Sequence, residues 1–98
     1  MENFRVIIVE DVPLELKGTE GIFRNEIPEA EIIGTAESEV AYWKLIKQNL
    51  PDLVLLDLGL GGSTTVGVEI CRQTKQTYPH VKVPVSYTHL TLPTICSV

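Results

Sequence analysis

The stretch RVIIVEDVP, residues 5–13, decides how this chain is read. Val6, Ile7, Ile8 and Val9 follow one another with no polar residue between them, as in a strand buried on both faces. The run stops abruptly at the acidic pair Glu10-Asp11. A second run, DLVLL at residues 52–56, has the same continuous character and also ends in an acid, Asp57. A third, EIIGTA at residues 31–36, lies between them.

Segments of helical spacing separate these runs. Leu16, Phe23 and Ile27 fall on one face of a first helix that Pro28 stops; Gly18 and Gly21 each weaken it by about 1 kcal/mol relative to Ala. Ser38 is placed to N-cap a second helix in which Ala41, Tyr42, Leu45 and Ile46 share a face. A third helix covers residues 66–78, with Gly67, Ile70, Cys71 and Thr74 at helical spacing and Pro79 beyond it. A fourth strand begins over residues 80–83. Pro84 then interrupts it, since proline inside a central strand removes a ladder hydrogen bond. Nothing after it resembles a fifth strand.

Strand and helix in alternation imply an α/β fold with a parallel sheet. In a flavodoxin-like sheet of order 2-1-3-4-5, strands 1 and 3 are neighbours, and ligands bind beyond the carboxyl ends of the strands at that switch point. Glu10, Asp11 and Asp57 would then converge. Any one of them alone reads as a solvated loop start, but three close carboxylates resist ionisation unless a cation sits among them. Mg²⁺ suits such a set, because it takes a few carboxylates and completes its shell with water and phosphate oxygens. A carboxylate beside that ion can attack phosphorus and form an aspartyl phosphate.

Composition narrows the function classes. The 98 residues are 44% hydrophobic and 21% charged, which fits one globular domain and not a disordered chain. A net charge of −5 argues against nonspecific nucleic-acid binding by this segment. No apolar run approaches the roughly 18 residues of a membrane span, and MENFRVIIVED is not a signal peptide. A cytoplasmic location is expected. Cys71 and Cys96 lack metal-like spacing and read as free thiols in a reducing compartment. His80 and His89 have no partners that suggest catalysis, and Trp43 reads as a packing residue.

RVIIVEDVPLELKG and PDLVLLDLGL resemble the two most diagnostic stretches of the bacterial response-regulator receiver domain, and the sequence between them, from EIIGTA through DLVLLD, is similar to the same family. The resemblance covers residues 3–83. It implies that a sensor histidine kinase donates a phosphoryl group to Asp57. It further implies that Asp11 binds Mg²⁺ directly, that Glu10 does so directly or through water, and that the backbone carbonyl of Gly59 and Asp57 itself complete the protein ligands. Phosphorylation would shift a two-state equilibrium read by a C-terminal output domain, often a DNA-binding one. The loop GLGGSTTVG after strand 3 is about two residues longer than the family usually has, and reads as a tolerated surface insertion.

The end of the chain departs from the family. Residues 84–98, PVSYTHLTLPTICSV, contain none of the 8 basic and 13 acidic residues of the chain. A complete receiver has a hydroxyl residue after strand 4 and a Lys after strand 5. Ser86 and Thr88 stand near the first position but follow Pro84, and no Lys follows Val83. If the tail is translated DNA of non-biological origin, the codons GTC TCT TAT ACA CAT CTG ACG CTG CCG ACG would give Val85 to Thr94, and that string resembles the transposase adapter of tagmentation sequencing libraries. The expectation is a partial receiver domain over residues 1–83, truncated in or after strand 4, with a non-native tail over 84–98 and impaired function. An alternative is a receiver-like interaction module that is not phosphorylated. An aspartate-nucleophile phosphatase ranks lower, because a second Asp would stand where the chain has Gly59.

Overall fold

Each apolar run of the sequence becomes a strand, because side chains apolar on both faces need cover on both. The computed structural model describes residues 3–57, 64–87 and 90–95, with side chains described for 3–57 and 66–83. The elements are β1 Phe4–Val9, α1 Pro13–Glu26, β2 Ala30–Ala36, α2 Glu39–Gln48, β3 Leu53–Asp57, α3 Thr64–Thr77, β4 Pro84–Tyr87 and β5 Leu90–Ile95. They form one sheet of order β2-β1-β3-β4-β5. β1 pairs in parallel with both β2 and β3, and β3 pairs in parallel with β4.

Alternation along the strands assigns side chains to two faces. Ile7 and Val9 of β1 and Val54 and Leu56 of β3 join Tyr42, Ile46, Ile70 and Cys71 in a core beneath α2 and α3. Val6 and Ile8 face the other way, against Leu16 of α1, with Phe4, Phe23, Ala30, Ile32 and Leu53 half-buried around them. β2 carries a register irregularity opposite Val6 and Ile7. It lets Ile33 and Gly34 both turn towards α2. A Cβ on Gly34 would lie 2.6 Å from Leu45 Cδ2, so the helix packs directly on this backbone.

Local chemistry sets the helix ends. Ser38 Oγ accepts a hydrogen bond from the Ala41 N–H at 3.2 Å, capping α2 as its sequence predicts. Tyr42 and Ile46 are buried and Leu45 half-buried, while Ala41 is exposed and not part of the packed face. Gly67, Ile70, Cys71 and Thr74 of α3 are all buried. The hydroxyls of Tyr42 and Thr74 share a 2.6 Å hydrogen bond that ties α2 to α3 inside the core. Burial pushes the Tyr42 hydroxyl up to about 12, with the Thr74 contact acting against that shift. Among the described residues, no buried side-chain nitrogen or oxygen lacks a hydrogen-bond partner.

The C-terminal third corrects four expectations. The fourth strand runs over Pro84–Tyr87 and not over 80–83, which instead approaches β3 through a bridge between Lys82 and Leu53. Val54 N–H donates to Lys82 O at 2.8 Å and Lys82 N–H to Asp52 O at 3.1 Å, so the approach is already hydrogen-bonded. Pro84 thus opens the strand, a place where its missing N–H is tolerated, and does not interrupt it. A fifth strand does follow, Leu90–Ile95, but it pairs antiparallel with β4 at the sheet edge, where Pro93 is admissible. Cys71 is disulfide-bonded and not a free thiol; Cys96 lies outside the described residues.

Candidate functional site

The register of β1 on β3 builds the site. Val9 lies opposite Leu56, so the next residues on each strand, Glu10 and Asp57, reach the same carboxyl end of the sheet on adjacent strands. The Glu10 N–H donates to Ala36 O at 2.9 Å, which extends the pairing with β2 one residue past β1. Glu10 Oε1 accepts from the Val12 N–H at 3.1 Å and fixes the turn that leads into α1. Asp11 sits within that turn, half-buried.

Glu10, Asp11 and Asp57 each bring a carboxylate oxygen to within 4.8 Å of the other two. Glu10 is 8% exposed and Asp57 3%, so two of the three charges are largely withdrawn from water. Burial pushes the Glu10 carboxyl up to about 7. The Val12 N–H opposes this, while a hydrogen bond and like charge from Asp57, and the charge of Glu15, add to it. Glu10 therefore gives up its proton less readily than an exposed carboxyl group, the expected response to burial beside a like charge. The donor set is all oxygen, compact and anionic, and it fits a hard divalent cation such as Mg²⁺.

The structure thus brings together three of the four residues singled out from sequence. The fourth, Gly59, lies outside the described residues, as do the rest of residues 58–63 and His89. His80 is exposed, and Trp43 is half-buried against Tyr42 with its Nε1–H donating to Glu39 at 3.2 Å, so neither joins the site. Ser86, which the sequence places near the expected hydroxyl position but behind Pro84, is paired with Asp57 by the register of β4 on β3.

The model of the response regulator receiver domain matches residues 6–95 of this chain. A search of curated proteins gives no match. Solved structures of the same fold include the isolated REC domain of RcsB from Salmonella enterica serovar Typhimurium in the presence of phosphomimetic BeF3-. It superposes with a TM-score of 0.79 at 21% identity, over 90% of this chain and 64% of that one. A LuxR-family two-component response regulator from Aurantimonas sp. SI85-9A1 gives 0.77 at 23% identity, over 90% and 61%. RcsB of the same Salmonella, bound to promoter rprA in the presence of phosphomimetic BeF3-, gives 0.77 at 22%, over 88% and 43%. This chain spans less than half the length of that last protein. At such identities these likenesses bear on the fold alone. Among the described residues no helix is long and apolar enough to cross a membrane. Fold, acidic cluster and family model agree: the chain belongs to the response regulator receiver domain family of two-component signalling, a switch and not an enzyme.

Proposed function

We propose that Asp57 is the phosphoacceptor of this receiver domain and that a sensor histidine kinase supplies the phosphoryl group. The convergence of Glu10, Asp11 and Asp57 at the switch point of the sheet carries this reading. Asp57 ends β3, which pairs with β1 on one side and β4 on the other, so the sheet and not a loop carries its carboxylate. In the transfer, an Asp57 oxygen attacks phosphorus as the phosphorus–nitrogen bond of the phosphohistidine breaks; the electron pair returns to the imidazole, and an acyl phosphate forms. Asp11, Glu10, Asp57 and the Gly59 carbonyl would hold Mg²⁺, which when bound offsets the charge of carboxylates and phosphoryl oxygens. Glu10, already tied to the Val12 N–H, keeps the entrance to α1 in register with the site.

In the intact parent, phosphorylation would be read by an output domain, often a DNA-binding one, in the cytoplasm. The chain as given is impaired in this reading. No Lys follows Lys82 to neutralise the phosphoryl group. Residues 84–98 read as a non-native tail, because they carry no Asp, Glu, Lys or Arg and adapter DNA translated in one frame would give the string Val85 to Thr94. The source DNA tests the tail: codons at Val85 to Thr94 that differ from the adapter would sink that idea.

The phosphoacceptor is tested by incubating the chain with Mg²⁺ and a small phosphodonor and measuring intact mass. The expected result is a phosphoryl adduct, at low yield, that Asp57→Ala abolishes. Restoring the natural downstream sequence should raise the yield. An adduct that survives Asp57→Ala would overturn the assignment. No adduct even with the downstream sequence restored would favour an interaction module that is not phosphorylated.

A further inference from the structure

No further inference is drawn: the strongest candidate, the exposed apolar side chains of α1, Leu14 at 80% and Ile22 at 59% exposure, carries nothing because the structure does not show what covers them.

Discussion

The two faces of the sheet are packed unequally. Beneath α2 and α3, Ile7, Val9, Tyr42, Ile46, Val54, Leu56 and Ile70 are all essentially inaccessible. On the opposite face, against α1, Val6, Ile8 and Leu16 are the buried members of the cluster among the described residues, with Phe4, Phe23, Ile32 and Leu53 left half-covered. Each fully buried aliphatic side chain contributes about 1.5–3 kcal/mol relative to exposure. The α2/α3 side therefore supplies most of the hydrophobic stabilisation. The site belongs to neither side alone. Glu10 and Asp57 emerge where the strands end, and β1 and β3, gripped by the better-packed face, set their spacing. Stability and chemistry are thus separable in principle, and substitutions can test the separation.

The largest expected effect is functional. Asp57→Ala removes all phosphoryl transfer yet leaves the fold intact, since it deletes a charge from a crowded cluster and no packed apolar group. Intact mass after phosphodonor treatment reads the first outcome, and circular dichroism the second. Next come the cores. Ile46→Ala on the well-covered side should lower unfolding free energy by about 2–5 kcal/mol, and Leu16→Ala on the α1 side should fall at or below the lower end of that range. Urea titration measures both, and equal losses would break the comparison of faces.

Tyr42→Phe leaves the Thr74 hydroxyl buried without its partner and should cost about 1–3 kcal/mol. A Tyr42→Phe/Thr74→Val double variant should recover part of that loss, because both polar groups are then gone. Ser38→Ala removes the α2 cap and should cost about 1 kcal/mol. The smallest effect belongs to the solvated surface. Arg24→Ala breaks an i,i+4 pair with Glu20 and should change stability by less than about 0.5 kcal/mol. Mg²⁺ offers a further probe of the site itself: millimolar addition should raise the thermal midpoint, and Asp57→Ala should reduce that rise.

Much of this was legible in the residues. Runs such as Val6 to Val9 and Leu53 to Leu56 cannot be satisfied except between two layers, so they fixed strands, sheet type and, by the acids that end them, the candidate site. Ser38 signalled its helix by its hydroxyl. The α1 helix forms despite Gly18 and Gly21 because packing of Leu16 and Phe23 outweighs their intrinsic cost. The C-terminal strands were misjudged because proline was weighed as a strand breaker, whereas its position at the start of β4 and on the edge strand β5 makes it acceptable.

Sequence alone thus determined the α/β class, the order of elements from β1 to α3 and the identity of the three acids, because each depends on local pattern. Only the tertiary structure decided that Glu10, Asp11 and Asp57 meet within 4.8 Å, that Tyr42 and Thr74 close on each other across 32 residues, and that Ser86 stands opposite Asp57. These relations are set by strand register and helix packing, which arise from the fit of whole faces and leave no trace in any short stretch of sequence.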